Sequence, residues 1–153
     1  MALSVVLALS AAACSTHDPA TEAPVPMLPG LYEVTLGGGT VVELKSGPGR
    51  TSKLCLDALG TADLVRDPMG QTVARWENCS TVTDEPKGNA MSGARQCDQR
   101  AMPMVARYAG SHTSDSFVIK GAVTQGHDEG GGVMHLGSGD FSLTGKRLGD
   151  CAG

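Results

Sequence analysis

The sequence predicts an all-β domain, mainly antiparallel, built as an open barrel or sandwich of about six to eight short strands with at most one short helix and two disulfides. Three observations carry this. Side chains alternate apolar and polar through Leu31-Tyr32-Glu33-Val34-Thr35-Leu36, the period of a half-buried strand. Turn signals recur between such runs: Gly37-Gly38-Gly39, Pro86-Lys87-Gly88-Asn89, Ser114-Asp115 and Gly130-Gly131-Gly132. The 21 glycines and 8 prolines are more than a helical bundle would tolerate.

Taken in order, Leu31 to Leu36 and Thr40 to Lys45 flank the first glycine triplet and are expected to pair as a hairpin. A third strand follows over Thr51 to Asp57. Ala58 to Arg66 is the one helical stretch, stopped at Asp67-Pro68 because a residue before proline is pushed out of the helical region. Further strands are expected at 72–76, 80–83, 90–97, 104–111, 116–125, 133–138 and 141–148. Gly137-Ser138-Gly139-Asp140 reads as the turn between the last two. At 153 residues and 41% hydrophobic content, these elements suffice for one domain, residues 30–153, with a buried core.

Ahead of that domain lie two segments of different character. Residues 1–13 hold only Ser4 and Ser10 as polar side chains, and such a run is too short to span a bilayer about 30 Å thick. It reads as the apolar region of an export signal, and the small-residue stretch Ala11-Ala12-Ala13 ends directly at Cys14. That junction resembles a bacterial lipobox, in which the cysteine is acylated (palmitate-type chains) and becomes the new N-terminus. Ordinary cleavage after Ala13 is the competing route; the position of Cys14 favours acylation. Ala11 stands where a lipobox usually has Leu, and no Lys or Arg precedes Lys45, which leaves the true start of the signal open. Ser15 next to the cysteine permits sorting to the outer membrane. Residues 14–29, with Pro19, Pro24, Pro26 and Pro29, read as a lipid-attached or flexible tether.

Composition then excludes partners. Twelve basic against 16 acidic residues give a net charge of −4, and aromatics are 3%, which argues against nucleic acid on both charge and stacking grounds. The expected setting is the periplasmic side of a bacterial envelope, with the membrane as one partner and an unidentified ligand or envelope protein as another.

Four cysteines remain after Cys14: Cys55, Cys79, Cys97 and Cys151. None forms a C-x-x-C pair, so a zinc site is not indicated, and an even number in an exported domain implies disulfides. Of three possible pairings, Cys55–Cys79 with Cys97–Cys151, which closes successive parts of the domain without crossing, is expected.

These residues carry a resemblance. Gly30-Leu31-Tyr32-Glu33-Val34, Leu54-Cys55-Leu56-Asp57, Asn78-Cys79 and Leu143-Thr144-Gly145-Lys146-Arg147-Leu148-Gly149-Asp150-Cys151 resemble the domain of unknown function 3617 family, over about residues 29–151. Tyr32 stands where that family often has Trp, and Lys146 where it often has Arg. The resemblance implies export, a β-rich fold and paired cysteines in proteobacterial proteins. It implies no activity.

Chemistry-bearing residues are few. His112, His127 and His135, with Asp128, Glu129 and Asp140, could in principle serve a metal-assisted hydrolase. No H-x-H or H-E-x-x-H spacing supports this, and exposed, unliganded histidines are expected. Met102-Pro103-Met104 reads as core or strand-edge packing rather than a soft-metal site. No serine occupies a G-x-S-x-G elbow. No catalytic residue, metal or cofactor is therefore expected, and the chain reads as a non-catalytic binding or structural module. A wide cavity between the strands would favour a lipid-like ligand; a filled interior would favour contact through the surface.

Overall fold

The computed structural model describes residues 23–38, 44–45, 50–73, 78–84, 87–99, 102–128 and 133–152, without the side chains of 83, 98, 99, 102, 127, 128 and 133–137. Within them the chain forms β1 (Gly30–Gly38), β2 (Thr51–Leu56), α1 (Ala58–Arg66), α2 (Pro68–Thr72), β3 (Cys79–Thr83), β4 (Ala90–Gln99), β5 (Met102–His112), β6 (Ser116–Asp128) and β7 (Val133–Gly149). One sheet takes all seven strands in the order β2-β1-β7-β6-β5-β4-β3, with every neighbouring pair antiparallel. The sheet curls into an open half-barrel. The all-β, disulfide-bearing class is the one the alternation and the cysteines predict.

Alternation decides which face turns inward. On β1, Tyr32, Val34 and Leu36 are buried while Glu33 and Thr35 are exposed. The same face collects Ala106 and Tyr108 of β5, Phe117, Ile119 and Val123 of β6, and Phe141 and Leu143 of β7. Bulky rings on a concave face need room, and glycines directly opposite supply it: Tyr108 faces Gly93, Phe117 faces Gly145 and Phe141 faces Gly121. An added Cβ at each of these glycines would run into the facing ring.

The helices close the concave side. Asp57 caps α1 by accepting from Gly60 N at 2.7 Å. Asp67 ends α1 and starts α2, its side chain accepting from Gly70 N at 2.9 Å, with Pro68 in the first turn. Leu64 and Met69, together with Leu44 and Val73, complete the core against the sheet.

Several sequence expectations change here. Asp67-Pro68 does not only stop a helix; a proline in the first turn is favourable, so α2 follows and takes up Thr72 of the expected strand at 72–76. Val73 makes an isolated bridge to Leu44, and residues 74–77 lie outside the described ones. The partner of β1 is β2, in register from Gly30↔Leu56 to Thr35↔Thr51, not Thr40 to Lys45, of which only Leu44 and Lys45 are described. The two C-terminal strands are one. Where a turn was expected at 137–140, the β6–β7 register shifts between Gln125 and Gly126 and the ladder continues. A bulge with glycines bends the strand without breaking it.

The cysteine pairing is also corrected. The bonds are Cys55–Cys151 and Cys79–Cys97, not Cys55–Cys79 and Cys97–Cys151. Sheet order is the reason. Cys79 lies directly opposite Cys97 in the β3–β4 ladder. Leu31 of β1 pairs with both Cys55 and Gly149, so the chain end just past β7 is brought to β2.

Candidate functional site

The interior of the half-barrel is filled by side chains. Tyr32, Ile119, Leu143 and Leu64 are fully buried, and a wide ligand-holding cup is not found among the described residues. A cavity of about 220 Å³ remains at the free edge of β2, between Val34 and Leu54 of the sheet and Leu44 and Thr72, beside the exposed Lys45 and Lys53. Small-molecule sites usually enclose about 300–1,000 Å³, so this space is small for one. Two larger hollows, of about 500 Å³ at Lys120, Asp140 and Phe141 and about 390 Å³ at Asn78, Gln96 and Pro103, are open dents.

A polar cluster sits where the helices meet β4. Arg95 follows Met91 and Gly93 on the inward side of its strand and donates from Nη1 to Asp67 Oδ2 at 2.5 Å. Thr81 Oγ1 donates to the same oxygen at 3.3 Å, and Asp67 Oδ1 holds the α2 cap. Tyr108 donates from its hydroxyl to Arg66 O at 3.5 Å. Burial, reinforced by the nearby Asp67 carboxylate and opposed by Arg95, pushes the Tyr108 phenol up to about 12. Both Asp67 carboxylate oxygens accept hydrogen bonds, and burial holds the Tyr108 phenol protonated. The cluster clasps the helical corner to the sheet. Composition gave no sign of Arg95 turning inward, but an Asp before Pro at a helix start was a legible capping signal.

A second cluster forms at the end of the sheet where β1 begins. Arg147 donates from Nε to Pro29 O at 2.8 Å and pairs with Asp150. Tyr32 donates its hydroxyl to Leu28 O at 2.6 Å, and burial raises its pKa, with Arg147 opposing and Asp115 adding. Gly30 has φ +150° and lies under Arg147 and the Gly149 carbonyl, a place only glycine fits. The segment before β1 is docked on the same end. Val25 N donates to Asn89 Oδ1 at 2.8 Å, Leu28 N donates to Ser114 O at 2.7 Å, and Met27 is buried. The folded unit thus starts a few residues before Gly30. Three of the sequence motifs, at 30–34, 54–57 and 143–151, meet here and hold one another.

The histidines are not brought together. The sequence expectation is an exposed His112, and it is buried; on β5 it shares the inward face with Ala106 and Tyr108, three and two alternations back. That alternation was readable in the sequence. Its Nδ1 lies 3.3 Å from Thr113 O. His112 pairs with Phe117 near the start of β6, whereas His127 pairs with Met134 and His135 with Gly126 toward the other end. About ten residues of strand, roughly 30 Å, separate the two places. The His127 and His135 side chains and Glu129 lie outside the described residues; Asp140 is exposed. Among the described residues no group of three or more His, Cys, Asp or Glu could hold a metal ion. Met104 and Met91 are core side chains, as the packing reading of the methionines expects. Cys14 lies outside the described residues.

The family model described as "Protein of unknown function (DUF3617)" matches residues 27–151. No curated protein and no solved structure matches the chain.

Proposed function

The chain belongs to the DUF3617 family of proteins of unknown function, and from that premise we propose that it is an exported, lipid-anchored protein of the bacterial envelope. In this reading Cys14 carries the lipid, residues 14–22 tether it, and the half-barrel works as a non-catalytic module on the periplasmic side, at the outer membrane. The observation that carries the reading is the joining of all four remaining cysteines in two disulfides, since such bonds persist in oxidising compartments. The filled interior supports action through the outer surface rather than on an enclosed ligand. The two polar clusters support a non-catalytic role, because their groups are spent on one another.

Processing decides the matter. Globomycin is expected to block maturation, and Cys14→Ala to release the protein from the membrane fraction. A wild-type protein recovered soluble, with a free Cys14 thiol, overturns the anchor. Elemental analysis of the purified protein is expected to find no stoichiometric metal. One tightly bound zinc or copper per chain, lost when His112, His127 and His135 are replaced together, would promote metal-assisted hydrolysis instead.

A further inference from the structure

Large apolar side chains left on the surface are informative when they gather at one place. Six are exposed among the described residues: Val25, Leu28, Leu59, Val82, Val118 and Leu148. Val82, next to the last residue of β3, and Val118, third in β6, lie on their strands near one end of the sheet. The other four line the rim of that same end, from the β2–α1 join across to the β3–β4 turn. Leu28 lies two residues before Gly30, which pairs with Leu56; Leu59 follows three residues later at the start of α1. Leu148 immediately precedes Gly149, which pairs with Leu31. Val25 is tied to Asn89, in the β3–β4 turn, on the same end of the sheet. Leu59 is 76% exposed and Leu28 and Leu148 are each 48% exposed, a heavy apolar load for a solvated rim.

The N-terminus leaves from this end. Residues 14–22 can span at most about 30 Å fully extended, so a lipid on Cys14 keeps this end within that distance of the bilayer. We infer that the end carrying Val25, Leu28, Leu59 and Leu148 rests on the lipid surface, with the β1–β2, β4–β5 and β6–β7 connections turned away from it. The inference rests on the lipid-anchored reading and adds the orientation of the domain. Charge is not the attraction. Lys87, Lys146 and Arg147 at this end are matched by Asp57, Asp84, Asp115 and Asp150. Each of these carboxylates already accepts a hydrogen bond or pairs within the chain. Seating therefore depends on apolar area, tolerates salt and needs no anionic lipid.

The test uses the full, processed chain on phosphatidylethanolamine-rich vesicles doped with a photoactivatable phospholipid, with adducts mapped by mass spectrometry. Adducts are expected at 25–29, 57–60 and 147–150, unchanged in high salt. Leu59→Ser with Leu148→Ser should lower their yield about tenfold with a fall in melting temperature of no more than roughly 5 °C, because Leu59 is 76% and Leu148 48% exposed. Adducts confined to 14–22, adducts at the opposite end, or cross-links joining these residues between two copies would each overturn the orientation. The mass of the N-terminal peptide reports acylation separately. An unmodified Cys14 removes the anchor alone; the same adduct map then still decides whether this end meets lipid.

Discussion

Phe117 and Gly145 face one another across β6 and β7, and the ring occupies the space a side chain on Gly145 would need. Gly145→Ala is therefore expected to lower stability by about 1–3 kcal/mol, the usual range for overpacking, with partial recovery on adding Phe117→Leu. A neutral Gly145→Ala in denaturant titration would show that the ring yields freely. Asp67 is a second such point. It caps α2 and binds Arg95, whose side chain is 17% exposed, so Asp67→Ala should cost about 2 kcal/mol. A double-mutant cycle with Arg95→Ala should find the two effects non-additive. Tyr108 offers a pH test. Folded, it keeps its proton to about 12, whereas an unfolded tyrosine loses it near 10. The folded state then binds more protons in that window. Its contribution to stability is complete below pH 10 and is lost as pH rises toward 12. Unfolding curves that stay flat across this range would contradict it. His112, being buried, should no longer be treated as a silent site: His112→Ala is expected to lower the melting temperature, while His127→Ala serves as the comparison.

At the scale of elements, the two disulfides do different things. Cys79–Cys97 ties strands that already pair over a separation of 18 residues, whereas Cys55–Cys151 fastens the chain end to β2 over 96 residues. In the loop-entropy model these are worth about 3 and about 4.7 kcal/mol. Cys151→Ser should accordingly be the more damaging of the two single replacements, at pH and temperature held constant. Non-reducing peptide maps check the connectivity directly; recovery of Cys55 joined to Cys79 would refute the strand order at this end. The edges also differ. β3 meets the helical segment through the Thr81–Asp67 hydrogen bond, while β2 borders the small cavity beside Leu44.

Across the whole molecule, a sheet that begins at β2 and ends at β3 has its two edges joined by the α1–α2 segment, which bridges the open side of the half-barrel. Cutting the chain there should uncouple the edges, so limited proteolysis within α1 is expected only after the Asp67–Arg95 clasp is removed. Periplasmic material should carry both disulfides. The same chain made without its first 13 residues in a reducing cytosol should lack them and be several kcal/mol less stable.

Much of this was readable along the chain. The β1 alternation, the helix over Ala58 to Arg66 and the even set of four cysteines follow from local chemistry, because side-chain period, capping and breakers act within a few residues. The same rule, carried along β5 from Ala106 and Tyr108, places His112 on the inward face. The tertiary structure alone decided which strand lies beside which, and with that everything that depends on distant neighbours. It paired Cys55 with Cys151, merged two expected strands into β7, turned Arg95 inward to Asp67, and gathered the motifs at 30–34, 54–57 and 143–151 at the end where the N-terminus departs. Five of the six neighbouring strand pairs in the order β2-β1-β7-β6-β5-β4-β3 are consecutive in the chain; the sixth, β1 beside β7, joins the first strand to the last, and no local pattern specifies it.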